Sequence, residues 1–190
     1  GRKRLATSLE PEDEQRIIAL NLRLGEIWER WLGDEENASR RYQRVLDVDS
    51  RNRTARLRLA SLAEKQNDWN RARSLYEDLL ASEEERGDPD ATSDLVQAYT
   101  RLARVTLQTD GATPEAIACL ERAVELDPSN RPARDELARV MRERGEWSRL
   151  AQLLDESARH STNFSEARRS RLDAARLQLS HSGDVSVARR

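Results

Sequence analysis

The chain has 190 residues, a net charge of −2 and charged side chains at 36% of its positions. Its nearly balanced charge creates no overall field that would attract nucleic acid or an anionic membrane. No run of 18 apolar residues is present, so we expect no membrane span. Aromatic residues make up 4% of the chain, with few Gly and Pro, which favours charged helices with narrow apolar stripes over a β domain.

The single cysteine, Cys119, lies at an apolar helical position. It excludes an intrachain disulfide framework and is compatible with a reducing compartment, so we expect a cytoplasmic protein. The sequence begins at Gly1 and ends at Arg190 within a helical pattern. We therefore expect it to be a fragment of a longer polypeptide.

Apolar residues recur at helical spacing along almost the whole chain, separated by short turns. Pro11 and the acids after it open the first helix, because proline and acidic residues suit a first turn. The apolar face of this helix carries Ile17, Leu20, Leu24, Ile27, Trp28 and Trp31. Gly33-Asp34 ends it, and the following helix ends near Asp49.

The same helix-turn-helix pattern predicts a series of repeats. They fall at residues 12–52, 53–87, 90–130 and 131–160, with a partial repeat at 164–190 and the tail of a preceding one at 1–10. A longer period of 78 residues pairs Gly33 with Gly111 and Trp69 with Trp147. We interpret residues 1–190 as a single domain built from paired repeats.

The segment A-I-A-C-L-E-R-A-V-E-L-D-P-S-N, residues 116–130, resembles the second-helix consensus of the tetratricopeptide repeat family. Leu137-Ala138, Gly145 and Trp147 lie where that family has its first-helix pair, its turn glycine and its aromatic residue. The resemblance implies an all-α, right-handed α-α superhelix, a solenoid of about four and a half repeats. The paired arrangement is similar to that of large bacterial tetratricopeptide repeat proteins.

The resemblance also implies a protein-protein interaction scaffold and not an enzyme. It places a peptide or partner protein on the concave surface, which the first helices of the repeats line. The positions that it implies for partner contact are Leu22, Glu26, Glu29, Arg30, Leu57, Ser61, Glu64, Lys65, Thr100, Arg104, Asp135, Arg139 and Arg142. The carboxylate clamp of chaperone-tail binders is absent, because Leu57, Ser61 and Asp135 occupy clamp positions.

Trp31 allows two interpretations. Its spacing from Leu24 and Trp28 favours packing inside the fold. The alternative is a partner contact, because exposed tryptophans are frequent hot spots. The other tryptophans lie at the family's packing positions.

No pattern in the sequence indicates catalysis. His160 and His181 are the only histidines, and neither has metal-ligand spacing, so we expect no catalytic, cofactor or metal site. Cys119 is expected to be a small core residue. The run Glu83-Glu84-Glu85 is expected to be solvated helix surface.

Two other functions stay open. The segment A-R-S-L-Y-E-D-L-L, residues 72–80, resembles the helical repeats of RNA-processing scaffolds. Acidic residues alternate with the arginines of residues 131–149, however, so no nucleic acid partner is expected. A spacer or self-assembly module of a larger protein is the other alternative, with self-association through uncapped ends.

Overall fold

The computed structural model describes residues 11–160 and 163–181, and all regular structure in those residues is helical. The helices are α1 (Pro11–Arg30), α2 (Glu35–Val48), α3 (Arg53–Lys65), α4 (Trp69–Arg86), α5 (Thr92–Asp110), α6 (Pro114–Leu126), α7 (Arg131–Glu143), α8 (Trp147–His160) and α9 (Phe164–His181). A 3-10 turn, Pro89–Ala91, precedes α5. The prediction of an all-α helical repeat fold is confirmed.

The chain divides into two compact units, one ending at Arg86 and the other beginning at Gly87. The division falls close to the predicted boundary between the repeats at 53–87 and 90–130. The first unit holds α1 to α4 and the second α5 to α9. The expected repeat segments at 1–10 and 182–190 lie outside the described residues.

Two asparagines that lie 78 residues apart cap the N-termini of α3 and α7, the first helices of the second repeat in each predicted pair. The side chain of Asn52 accepts a hydrogen bond from the amide of Ala55 at 3.1 Å, and that of Asn130 accepts from Ala133 at 2.9 Å. Each satisfies an amide in the first turn that has no partner within its helix. The sequence period is therefore also a period of helix starts.

The core of each unit lies where a first helix packs on the second helix before it. In the first unit, the buried side chains come from α2 and α3: Ala38, Tyr42, Val45, Ala55, Leu59 and Leu62. In the second, α6 and α7 supply the corresponding set: Ile117, Leu120, Ala123, Ala133, Leu137 and Val140. Each large buried side chain contributes about 1.5–3 kcal/mol, so this packing makes a substantial contribution to the stability of each unit.

Gly25 and Tyr42 form a close contact between α1 and α2. A Cβ atom at Gly25 would lie 2.5 Å from Cε1 of Tyr42, which is closer than atoms can pack. The ring of Tyr42 is buried, and its hydroxyl donates to Oε2 of Glu29 at 3.0 Å. In the second unit, 78 residues later, the pair is Ala103 and Leu120. A larger residue on the first helix thus accompanies a smaller one on the second.

Glu83 contradicts the expectation of a solvated acidic run. It is 2% exposed, whereas Glu84 and Glu85 are exposed as expected. The reason is helical register, since Glu83 follows the buried Leu79 by four residues and so shares its face. Guanidinium groups of Arg53, at 3.6 Å, and Arg86, at 3.3 Å, offset the cost of burying its charge.

We predict that Gly25→Ala destabilises the protein. The new Cβ must displace the buried ring of Tyr42, which costs about 1–3 kcal/mol and exceeds the gain of about 1 kcal/mol from replacing glycine within a helix. Urea unfolding followed by circular dichroism measures the change. Tyr42→Leu in the Gly25→Ala background recreates the Ala103–Leu120 pair, so the cost of Gly25→Ala should fall in the double variant. An equal cost in both backgrounds would show that the two residues are not coupled.

We predict a pH-dependent contribution from Asp34, which caps α2. Its carboxylate accepts hydrogen bonds from the amide and side chain of Asn37, and these hold its pKa below the ordinary value of 3.8. The stability difference between the parent chain and Asp34→Ala should be fully present above pH 3.8 and shrink as pH falls through the lowered pKa. Asp34→Ser keeps a cap that does not titrate, so its advantage over Asp34→Ala should not depend on pH. Thermal melts from pH 7 to pH 3 measure both differences.

Candidate partner-binding grooves

The first unit has a groove of about 450 Å³ between the first helices α1 and α3. It is lined by Ala19, Leu22, Arg23, Glu26, Tyr42, Thr54 and Arg58. Leu22 also packs against the buried cluster of α2 and α3, which fixes the floor of the groove. The charged side chains of α1 and α3 stand on its two walls.

A fixed ionic network borders this groove. The Glu29 side chain is almost buried, and its Oε1 lies 3.2 Å from Nζ of Lys65, while Oε2 lies 4.0 Å from Arg58. Burial, together with the hydrogen bond and charge of Glu29, raises the pKa of Tyr42 well above its usual value. The hydroxyl therefore remains a hydrogen-bond donor. Tyr76 donates to Glu64 in the same way one repeat later.

The second unit has a groove of about 650 Å³ between α5 and the α6–α7 turn. It is lined by Thr92, Ser93, Val96, Gln97, Thr100, Arg101, Arg104, Leu126, Asp127, Asn130 and Pro132. Asp127 accepts hydrogen bonds from the amide of Ser129 at 2.9 Å and from its hydroxyl at 2.6 Å. Arg104 is exposed and has no ion-pair partner among the described residues. Positive charge therefore predominates in this groove.

The helix α9 presents the same face again. Its groove, of about 760 Å³, is lined by Arg131, Phe164, Ser165, Arg168, Arg169, Ser170, Leu172 and Asp173. Phe164 and Leu172 are the first and ninth residues of α9, as Thr92 and Thr100 are of α5, so the two grooves use corresponding faces of their helices. The first helices α1, α5 and α9 thus each carry an open hollow at corresponding positions of the helix.

The predicted contact residues fall into several groups. Leu22 and Glu26 line the α1–α3 groove, and Thr100 and Arg104 line the α5 groove. Glu29 and Lys65 form the ionic network beside the first groove. Ser61 is half-buried, and Leu57, at 9% exposure, is buried and offers almost no surface.

The predicted residues of α7 line none of the hollows described above. Asp135 pairs with Arg131 at 3.3 Å, and Arg142 is exposed. Arg139 lies 2.7 Å from both Glu136 and Glu143, and hydrogen bonds to these carboxylates raise its pKa. The proposed contact surface is therefore concentrated on α1, α3 and α5.

Sequence reasoning missed the arginines of these grooves. Arg23, Arg58 and Arg101 each line a groove. Each directly follows a predicted contact position, namely Leu22, Leu57 or Thr100. Their recurrence at one register of three first helices was the signal that could have identified them.

Trp31 does not pack inside the fold, since it is 81% exposed. The packing interpretation is wrong because Trp31 follows the last residue of α1 and shares a side with the exposed Leu20 and Ile27, which no described helix covers. The preceding residue, Arg30, pairs with Glu26 at 2.8 Å. Trp31, Arg30 and Ile27 border a shallow hollow. Trp31 is left available for a contact with another molecule.

Other kinds of site lack support within the described residues. No group of three or more His, Cys, Asp or Glu side chains in residues 11–160 and 163–181 could hold a metal ion. No helix in that part of the chain is long and apolar enough to cross a membrane. Cys119 is half-buried against the core of the second unit, close to its expected place.

Comparison with known proteins gives a family match for one repeat. Residues 54–90, which cover α4 and all of α3 except its first residue, match the family described as tetratricopeptide repeat. No curated protein matches the chain.

Solved structures resemble the chain over most of its length. MamA protein is 22% identical with a TM-score of 0.65, and the match covers 90% of this chain and 88% of that one. YrrB, titled a TPR protein with an unusual peptide-binding site, is 16% identical over 93% and 92% of the two chains, with a TM-score of 0.59. The first TPR of Spaghetti (RPAP3), bound to the HSP90 peptide SRMEEVD, is 20% identical over 68% and 94%, with a TM-score of 0.58.

At these identities the likeness concerns the fold. The matched repeat at residues 54–90 and the nine helices of the described residues agree with it. The chain has the fold of tetratricopeptide repeat proteins, and α3 and α4 form a repeat that matches the family by sequence.

Proposed function

We propose that this chain is a protein-interaction scaffold that binds a peptide segment of a partner along the first-helix faces. The observation that carries the proposal is the repetition of one open hollow on α1, α5 and α9 at corresponding positions. Concave sites with a few convergent polar groups are the usual places for ligands. One protein of this fold is bound to an HSP90 peptide and another is titled as having a peptide-binding site, which agrees with this use.

The chemistry of the grooves favours a peptide that carries both charge signs. In the first unit, Arg23 and Glu26 of α1 and Arg58 of α3 line the groove, with Leu22 as an apolar floor. In the α5 groove, Arg104 supplies an unpaired positive charge beside the hydroxyl of Thr100. Specificity would come from the spacing of charges, because exposed charge pairs contribute more to selection than to affinity.

No catalytic role is part of this proposal, and no cofactor is needed for it. We place the scaffold in the cytoplasm on the basis of its single thiol, Cys119. An RNA-processing scaffold is disfavoured, because two of the four arginines of α7 are paired with carboxylates: Arg131 with Asp135, and Arg139 with Glu136 and Glu143. A role as a spacer alone is disfavoured, because a spacer would have no need for the open hollows that recur on α1, α5 and α9.

The test uses peptides selected on the whole 190-residue chain from an unbiased display library of 12-residue sequences. We expect the selected peptides to carry acidic residues that meet Arg104. Arg104→Glu should weaken the binding of such a peptide about tenfold in calorimetry, because a charge attraction becomes a repulsion. Arg41→Glu is the matched control, since Arg41 is an exposed arginine of the second helix α2. It should leave affinity unchanged.

Two results would contradict the proposal. Equal losses in Arg104→Glu and Arg41→Glu would mean that only overall charge matters. Failure to select any peptide, together with a salt-dependent shift of single-stranded RNA, would favour the nucleic acid alternative.

A further inference from the structure

The helix α1 carries an apolar stripe that lies apart from the α1–α3 groove. Its members, which we call the α1 stripe, are Ile17, Leu20, Leu24, Ile27 and Trp31, at alternating spacings of three and four residues. This spacing lines residues up along one side of a helix. Leu20 is 59% exposed, Ile27 39% and Trp31 81%, so the stripe is largely open. Exposed apolar surface of this kind usually marks an interaction site.

The corresponding positions of the other first helices are buried. Gly25 corresponds to Ala60 of α3, so Leu20, Leu24 and Ile27 correspond to Ala55, Leu59 and Leu62. All three residues of α3 are at most 1% exposed, and so are their equivalents Ala133 and Val140 of α7, with Leu137 at 2%. The residues of α3 and α7 that correspond to the α1 stripe are therefore covered by other helices of the chain, whereas the α1 stripe itself is open.

The structure also gives the kind of element that covers it. In α3 the three residues pack against Ala38, Tyr42 and Val45 of α2. In α7 they pack against the cluster from α6 that contains Leu120 and Ala123. The covering element is each time the preceding second helix, which carries a small residue, a large apolar residue four positions later, and an aliphatic residue three positions after that.

Charge indicates which helix would fit α1. Arg16, Arg23 and Arg30 stand seven residues apart along one border of the α1 stripe. Arg16 and Arg30 pair with Asp13 and Glu26, at 3.7 and 2.8 Å, whereas Arg23 has no ion-pair partner among the described residues. If two copies of α1 packed antiparallel, the arginine row of one copy would lie beside the arginine row of the other. If they packed in parallel, each arginine row would lie beside Asn21 and Trp28 of the other copy. Neither arrangement supplies an acidic partner, so a second copy is a poor occupant.

We propose that the α1 stripe is a docking surface for an acidic amphipathic helix of a partner protein. The docked helix has the apolar spacing of α2 and α6 and extends the packing of helices by one element. Its carboxylates face the arginine row, and its large apolar residues contact Ile27 and Trp31. This surface borders the α1–α3 groove at Arg23, but the proposal does not depend on the function proposed for the grooves.

A peptide with the sequence of residues 113–127, which contains α6, is a suitable probe. It carries the spacing of Ala116, Leu120 and Ala123 and is acidic, with Glu115, Glu121, Glu125 and Asp127 against the single base Arg122. Cys119→Ser and blocked ends prevent side reactions. The α7 face of the chain is already covered by its own α6, so it does not compete for the added peptide.

The labelled peptide should bind the 190-residue chain in fluorescence anisotropy. Trp31→Ala should weaken binding about tenfold or more, as is typical of a tryptophan anchor. Leu179→Ala removes an exposed apolar residue of α9 that lies outside the α1 stripe and the grooves, and it should have no effect. Arg23→Glu should weaken binding and reduce its salt dependence, while Arg44→Glu, an exposed arginine of α2, should not.

Circular dichroism checks that each variant folds, which we expect because Trp31 and Arg23 are exposed. Absence of binding, or binding that Trp31→Ala leaves unchanged, would overturn the proposal. Concentration-dependent dimers in light scattering that Trp31→Ala abolishes would also overturn it, since a second copy would then be the occupant.

Discussion

The packing of each first helix on the second helix before it is the interaction on which both units depend. A single helical hairpin leaves one apolar face uncovered, so its neighbours must supply the missing contacts. In α3 that face is Ala55, Leu59 and Leu62, and α2 covers it completely. Charged residues can therefore occupy 36% of the chain, because only a narrow stripe of each helix needs to be apolar. The same requirement explains why an uncovered stripe on α1 has meaning for binding.

Differences between the two units arise from compensating changes in side-chain size. Gly25 with Tyr42 in the first unit becomes Ala103 with Leu120 in the second. The tyrosine brings a hydroxyl into the core, and Glu29 accepts its hydrogen bond, whereas the residue 78 positions after Glu29 is Leu107. The first unit therefore places a nearly buried carboxylate beside its groove, and Lys65 and Arg58 gather around it. A packing difference at the helix contact thus changes the charge of the binding surface.

The sequence was sufficient to predict which residues form helices and where most helices begin and end. Asp34, Asn52, Thr113 and Asn130 all cap helices at predicted turns. Coverage by neighbouring elements was not predictable, because periodicity shows only which residues share a face. Glu83 lies on a buried face although it belongs to an acidic run, and Trp31 lies on an apolar face that no described helix covers. The contact surface was predicted in part, since Leu22, Glu26, Thr100 and Arg104 line grooves. The arginines that line the same grooves were missed because each lies one residue after a predicted contact position.

Arg23 connects the two surfaces that we propose on α1. It lines the α1–α3 groove, and it also belongs to the arginine row beside the α1 stripe. Successive residues turn by about 100° around a helix, which puts Arg23 between Leu20 of the stripe and Glu26 of the groove. A carboxylate bound on one side would partly neutralise the charge that the other side offers, so two acidic partners would bind α1 with mutual weakening. A groove ligand that contacts Glu26 through a basic residue would not compete, because it leaves Arg23 free for the docked helix. The single unpaired arginine at this border thus provides a physical means by which one partner could influence the choice of the other.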